Sequence, residues 1–173
     1  MAQTGKHSFG EVSDEPDEED VDTQAGKYLT FQIGKESYGL KIKYVTEIIG
    51  IQRITPVPDV PVFVKGLVNL RGRVVPVMDV RLRFRQPPRD YDDRTCIIVI
   101  HIDESDVGLV VDIVSEVLSI PDGDIEPPPR MGGGSITSFM SGLAKVGDEV
   151  KILLDAKKLL FEGLEAARAA GRD

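Results

Sequence analysis

The residues that could act as nucleophiles, bases or metal ligands are few and poorly spaced. The sequence has one cysteine, Cys96, and two histidines, His7 and His101. Cys96 and His101 lie five residues apart in a run of β-branched residues, so their side chains are expected on opposite faces of a strand. A nucleophilic dyad needs two groups within hydrogen-bonding reach, and a zinc site needs clustered ligands. We therefore predict that the protein is not an enzyme and uses no metal and no cofactor.

The other candidate motifs also favour a non-catalytic protein. Gly132-Gly133-Gly134 lacks the Lys-Ser/Thr pair of a phosphate-binding loop. The carboxylates Asp79, Asp112 and Asp155 are scattered among predicted turns and helix caps, which does not favour a general acid. A single cysteine excludes an intramolecular disulfide, and no apolar run approaches the roughly 18 residues of a membrane span. These features predict a cytoplasmic protein without direct membrane insertion.

A cluster of arginines is the most prominent charged feature of the body of the chain. Such a cluster is suited to binding nucleic-acid phosphates or to donating paired hydrogen bonds to a protein partner. Interleaved acidic residues favour a third interpretation, in which the arginines form intramolecular ion pairs. The arginines are Arg71, Arg73, Arg81, Arg83, Arg85, Arg89 and Arg94, and the interleaved acids are Asp79, Asp90, Asp92 and Asp93.

The acidity of the chain belongs to its N-terminal segment. Residues 1–25 contain one lysine and eight carboxylates, so they carry seven of the eight net negative charges. This segment has almost nothing to bury, and its charges repel one another. We predict that residues 1–26 form a disordered acidic tail that keeps the protein soluble.

The rest of the chain has the pattern of a β protein. From Lys27 onward, short runs of β-branched and aromatic residues alternate with turns, which predicts a mostly β barrel or sandwich. Residues 66–70 and 74–78 flank Arg71-Gly72-Arg73, and this arrangement predicts a hairpin in which Gly72 adopts a positive φ.

Three further segments have their own signals. Residues 107–120 have the composition of one long β stretch, whereas residues 43–49 are compatible with either a short helix or a bend into a strand. Asp155 is a good N-cap for a helix over residues 156–170.

The sequence also contains an internal repeat. Residues 38–42 match residues 107–111 at an offset of 69 residues, and further matches follow at offsets of 69 and then 76. Two periods of about 70 residues predict two similar small barrels packed in tandem. The further matches pair Val45 with Val114, Glu47 with Glu116, Gly66 with Gly142, Val74 with Val150, and Asp79 with Asp155.

Residues 65–80, with the sequence KGLVNLRGRVVPVMDV, resemble a signature of the CheW family of bacterial chemotaxis coupling proteins. The runs at 38–40, 45–49 and 107–112 support this resemblance, which extends over residues 27–162.

The resemblance implies a specific fold. Members of the family consist of two tandem five-stranded SH3-like β-barrels, here followed by a C-terminal helix. It implies two intertwined barrels over about residues 38–92 and 93–155 with returning strands, and a helix and tail over residues 156–173.

The resemblance also implies a role as a signalling adaptor. Family members couple the cytoplasmic hairpin tips of methyl-accepting chemoreceptors to the regulatory domain of the histidine kinase CheA, and CheW-like domains take part in the same receptor-array rings. The protein would be cytoplasmic and recruited to these membrane receptor arrays. The matching receptor-groove residues here are Leu29, Ile42, Val45, Ile48 and Val114, and the matching residues of the kinase-binding hairpin are Gly66, Asn69 and Arg71.

Alternatives remain open for these residues and for the function. The groove residues are also typical of a barrel core, and Arg71 is suited to an interface, to an intramolecular pair with Glu47, or to both. Glu47 itself would lie either in that pair or on the receptor face. The alternative function is a small-barrel nucleic-acid-binding protein that uses Arg71–Arg94. Salt separates the two, because phosphate contacts weaken steeply with salt and an apolar groove does not.

Overall fold

The computed structural model describes residues 24–130 and 135–162. Three sequence predictions fall wholly or mostly outside these ranges. They concern the acidic tail at 1–26, the glycine run at 132–134, and the part of the C-terminal helix and tail beyond Glu162.

The described residues form eleven strands, three short α-helices and two short 3-10 helices, at Ile42–Tyr44 and Asp122–Asp124. The first five strands are β1 (Lys27–Ile33), β2 (Glu36–Lys41), β3 (Val45–Gly50), β4 (Val64–Leu70) and β5 (Arg73–Asp79). The others are β6 (Cys96–Ile102), β7 (Ser105–Val111), β8 (Ile113–Ser119), β9 (Ile125–Glu126), β10 (Met140–Val146) and β11 (Glu149–Leu154). The α-helices are α1 (Val80–Arg83), α2 (Ser135–Phe139) and α3 (Ala156–Phe161).

These strands form two sheets, which confirms the predicted mostly β fold. One sheet has five strands in the order β3-β6-β7-β5-β4, and the other has six in the order β8-β1-β2-β11-β10-β9. The sixth strand, β9, is only two residues long and adds to an otherwise five-stranded arrangement.

Each sheet combines strands from both sequence repeats. The five-stranded sheet takes β3, β4 and β5 from the first repeat and β6 and β7 from the second. The six-stranded sheet has the reverse composition, with β1 and β2 joined to β8 to β11. Within each sheet the repeats meet at one parallel pair, β5 with β7 or β2 with β11, and at one antiparallel pair, β3 with β6 or β1 with β8. The sheets therefore group residues 45–111 in one unit, whereas the barrel boundaries near 92 and 155 stay a prediction.

The predicted long β stretch at 107–120 is wrong in one respect, because it breaks at Asp112 and its two halves join different sheets. The Asp112 carboxylate accepts hydrogen bonds from the Gly34 backbone N–H at 2.7 Å and from Arg89 at 3.0 Å, and it also pairs with Arg81. A partly buried acceptor with three donors stabilises this crossover between the sheets.

The ambiguous segment at 43–49 combines both expected forms, since a 3-10 turn ends at Tyr44 and β3 follows.

Each of the two repeats ends with an aspartate that caps the start of a helix. Asp79 caps α1 by accepting from the Leu82 N–H, and Asp155 caps α3 by accepting from the Lys158 N–H. The N-cap predicted at Asp155 is thus confirmed. A carboxylate at this position satisfies a backbone donor that would otherwise lack a partner. The sequence does not predict α1, because its four residues are too few to show a helical period.

The C-terminal helix is fixed to the barrels by one buried arginine. Arg83 lies between the rings of Phe63 and Phe139, with its guanidinium carbon 4.5 and 4.4 Å from their centres. Its Nε donates to the Leu159 carbonyl at 2.8 Å, and its Nη2 donates to the carbonyls of Lys158 and Glu162 at the end of α3. Burial lowers the pKa of Arg83, and the nearby Glu162 acts in the opposite direction.

Replacing Arg83 with methionine should lower the free energy of unfolding by about 2–3 kcal/mol. The substitution keeps the length of the side chain but leaves several helix carbonyls without a charged donor. Arg85→Met is the control, since Arg85 lies two residues away and is exposed. Urea denaturation of both variants measures the difference, and equal stability of the two would contradict this role for Arg83.

Candidate functional site

The hairpin between β4 and β5 carries an arginine in a conformation that side chains rarely adopt. Arg71 has a φ of 54° and Gly72 a φ of 89°, which are the positive values of a two-residue type I′ turn. The Asn69 side chain supports the turn by accepting from the Gly72 N–H at 2.8 Å. The hairpin and the positive φ of Gly72 are confirmed. Asn or Gly is preferred at the position of Arg71, so an arginine there adds strain and points to a role for its side chain.

The Arg71 side chain binds Glu47 of strand β3. One guanidinium nitrogen of Arg71 lies 2.9 and 3.1 Å from the two carboxylate oxygens of Glu47. The arginine side chain is 73% exposed, whereas that of Glu47 is 25% exposed. The intramolecular pair that the sequence left open is therefore present, and most of Arg71 still faces solvent.

Arg73 extends this pair across the sheet. It contacts Glu47 at 3.4 Å and Asp106 of β7 at 3.0 Å. Asp106 in turn lies 2.6 Å from Nδ1 of His101 on the neighbouring strand β6. We call Glu47, Arg71, Arg73, Asp106 and His101 the charge row.

Gly66 is required by the chain's own structure. It has a φ of 144°, and a Cβ at this position would lie 2.0 Å from the carbonyl oxygen of Thr55. Thr55 and Leu67 exchange two backbone hydrogen bonds of 2.8 Å, which hold the 51–63 loop against β4. The close approach expected at Gly66 is thus already made by this loop, so a partner need not supply it.

The five residues predicted to line a receptor groove fall into three environments. Leu29 is buried in the main core with 2% exposure, so it offers no surface to a partner. Ile42, Val45 and Val114 are half-buried and pack against that core. Ile48 is 43% exposed, which is unusual for a large apolar side chain.

Val45 and Val114 occupy corresponding places in the two sheets. Val45 is opposite Ile100 on the edge strand β3, and Val114 is opposite Phe31 on the edge strand β8. A register shift follows each pair along the edge strand. The repeat therefore places the same side chain at the same point of each edge.

The arginine cluster is largely paired, but not with the expected partners. Arg71 and Arg73 bind Glu47 and Asp106, and Arg81 and Arg89 bind Asp112, while Arg83 binds helix carbonyls. Of the interleaved acids, Asp92 does pair with Arg89, at 3.6 Å. Asp79 is instead used as a helix cap and as the acceptor of the Tyr91 hydroxyl at 2.7 Å. The expectation of local pairing is wrong for most of the cluster, because neighbouring strands bring distant acids closer than sequence neighbours.

The other titratable groups show structural roles. Burial and the Asp79 carboxylate raise the pKa of Tyr91, so its hydroxyl keeps its proton and remains a donor. Cys96 is half-buried, and His101 is exposed and bound to Asp106. Within residues 24–130 and 135–162, no group of three or more His, Cys, Asp or Glu residues is arranged to hold a metal ion. No helix in the described part of the chain is long and apolar enough to cross a membrane.

Sequence reasoning missed three members of the charge row, Arg73, Asp106 and His101, as site residues. Each lies on a different strand of the five-stranded sheet, and only the register of those strands brings them together. The one available signal was that each is a polar residue in a mostly apolar strand.

Comparison with known proteins gives consistent matches. The family model described as "CheW-like domain" matches residues 27–162. A chemotaxis protein CheW of Klebsiella aerogenes is 40% identical over 139 residues, covering 80% of this chain and 84% of that protein. Protein FrzA of Myxococcus xanthus is 30% identical over 145 residues, covering 83% and 90%. The crystal structure of the scaffolding protein TtCheW from Thermoanaerobacter tengcongensis has a TM-score of 0.72 at 36% identity, covering 78% of this chain and 91% of that one.

Proposed function

Because the chain belongs to the CheW-like domain family, whose relatives are chemotaxis proteins and scaffolds, we propose that it couples chemoreceptor tips to the histidine kinase CheA. It does so as a non-catalytic adaptor, cytoplasmic and recruited to membrane receptor arrays. The observation that carries the proposal is the exposed Arg71, held on a strained turn by Glu47 beside an exposed apolar edge.

The receptor surface is the apolar edge around Ile48. A receptor tip is a helical hairpin, and helices bind partners by placing an apolar face in a groove. Ile48 and Val45 on β3, Val114 on β8 and Ile42 in the 3-10 turn before β3 provide apolar surface, with the buried Leu29 beneath them. This surface therefore suits the apolar face of a partner helix, which binds without charged contacts.

The kinase surface is the hairpin between β4 and β5. Arg71 projects from its turn with five N–H donors, of which Glu47 uses only part, so others remain for a carboxylate or carbonyl of the regulatory domain. Asn69 shapes the turn, and Gly66 fixes the strand behind it. Other CheW-like domains are the third class of partner, and the chain would contact them within the rings of the receptor array.

Two binding measurements test the proposal. Receptor signalling-tip fragments and the CheA regulatory domain are each titrated into the purified chain by calorimetry, at low and at moderate salt. We expect both to bind, with receptor binding retained at moderate salt. Binding of neither protein would contradict the proposal. If a nucleic-acid oligomer then bound with an affinity that fell steeply with salt, the result would support the nucleic-acid alternative.

Ile48→Asp should weaken receptor binding at least tenfold without unfolding the protein. Removing a large apolar side chain from an interface costs about 1.5–3 kcal/mol, and the added carboxylate must also lose its water. Val150→Asp is the control, because Val150 is similarly exposed at 54% but lies on β11. Calorimetry with receptor fragments compares the two variants. Equal affinities would remove Ile48 from the receptor surface.

A further inference from the structure

The two halves of the fold present the same apolar positions but different charges. Val74 on β5 and Val150 on β11 are matching residues of the repeat, and they are 60% and 54% exposed. Each lies on one of two corresponding hairpins, β4–β5 and β10–β11. The exposed apolar surface alone would therefore not direct a partner to bind one hairpin in preference to the other.

Only the β4–β5 hairpin carries the two arginines of the charge row. At the repeat offsets, the counterparts of Arg71 and Arg73 are Gly147 and Glu149, and those of His101 and Asp106 are Gln32 and Ser37. Glu149 forms its own pair, with Lys151 at 3.2 Å.

Within the charge row, Arg73 and Asp106 are placed to hold the Glu47 and Arg71 pair. Arg73 reaches Oε2 of Glu47 with one nitrogen and Asp106 with another, so Asp106 fixes the arginine that shares this carboxylate oxygen with Arg71. The carboxylates of Glu47 and Asp106 are only 25% and 21% exposed, so both are partly shielded from water. Shielded pairs couple more strongly than fully exposed ones.

We propose that the charge row is a specificity determinant, in which Asp106 and Arg73 are positioning residues that present Arg71 and direct a kinase-domain partner to the β4–β5 hairpin. This inference rests on the proposed function for the identity of the partner. The positioning part concerns the free protein and is independent of any partner.

Asp106→Asn tests the positioning, with Asp103→Asn as the control. Asp103 is an exposed acid in the β6–β7 turn that precedes the strand of Asp106, and it pairs with Lys157 at 3.5 Å, outside the charge row. In the free protein, the side-chain NMR signals of the Arg71 guanidinium should shift in Asp106→Asn and stay unchanged in Asp103→Asn. Exchanging the charges, with Arg73→Asp and Asp106→Arg together, should not restore the Arg71 signal, because the carboxylate introduced on β5 would repel Glu47.

Methyl NMR then reports which hairpin the partner uses. On addition of the CheA regulatory domain, we expect shifts at Val74 and not at Val150, with an affinity two- to fivefold weaker for Asp106→Asn than for the wild type. Unchanged Arg71 signals in Asp106→Asn would overturn the positioning role, and equal shifts at both valines would overturn the specificity. If the wild type bound no kinase domain, the proposed function and the assignment of this partner would both fail, while the Arg71 signals would still decide the positioning role.

Discussion

Gly66→Ala is expected to lower the free energy of unfolding by about 3 kcal/mol and to weaken kinase-domain binding with it. The new Cβ would lie 2.0 Å from the Thr55 carbonyl oxygen, and the backbone φ of 144° is strained for any residue with a side chain. Relief requires moving the 51–63 loop away from β4, which breaks the two hydrogen bonds between Thr55 and Leu67. Local strain and overpacking each cost about 1–3 kcal/mol, which sets the expected size of the loss.

A matched glycine separates the steric clash from the backbone strain. Gly147 also has a positive φ, 61°, but a Cβ there would meet nothing within 4 Å. Gly147→Ala should therefore cost only about 1 kcal/mol, the strain of alanine in a left-handed conformation. Denaturant unfolding of both variants measures the difference. Equal destabilisation would mean that the loop yields easily and that Gly66 is needed for its φ alone.

Arg71→Glu is expected to reduce the affinity for the CheA regulatory domain at least tenfold while the protein stays folded. The carboxylate introduced at position 71 would lie where the guanidinium now binds Glu47, so the two carboxylates would repel each other. Stability should fall by only about 1 kcal/mol, because exposed ion pairs contribute little to folding. Calorimetry gives the affinity and thermal unfolding gives the stability.

A charge exchange separates the two roles of Arg71. In an Arg73→Ala background, where no cation faces the new arginine, Glu47→Arg with Arg71→Glu lets the internal pair form again with reversed partners. If the arginine contacts the kinase domain, binding should remain weak. Recovery to the affinity of Arg73→Ala alone would show that Arg71 acts only by pairing with Glu47. Lys35→Glu, in the exposed β1–β2 turn, controls for the change in net charge.

The sequence predicted those parts of the molecule that depend on local chemistry. The β4–β5 hairpin follows from a glycine between two β-type runs, and the start of α3 follows from an aspartate before a helix-forming segment. The tandem repeat was visible because Gly39, Gly108, Gly66 and Gly142 all allow close backbone or side-chain approach, which recurs in both halves. Such requirements are short-range and leave a mark on residue type.

Long-range pairing could not be predicted in the same way. The exchange of strands between the two sheets depends on the break at Asp112, and one aspartate within a β-type run does not reveal it. Likewise, Glu47 and Asp106 lie 26 and 33 residues from Arg73 in sequence, and only the strand order brings them into contact. The sequence could not show that Leu29 is buried either, because a leucine in the core and a leucine in a surface groove have the same local pattern.

The most direct test of the proposed coupling role is whether this chain bridges the two proposed partners. Receptor signalling-tip fragments are immobilised, the CheA regulatory domain is supplied in solution, and the chain is added at increasing concentration at low and at moderate salt. We expect the kinase domain to be retained only when the chain is present, and we expect Ile48→Asp and Arg71→Glu each to abolish this retention. Absence of the kinase domain at every concentration of the folded wild-type chain would contradict the proposed coupling role.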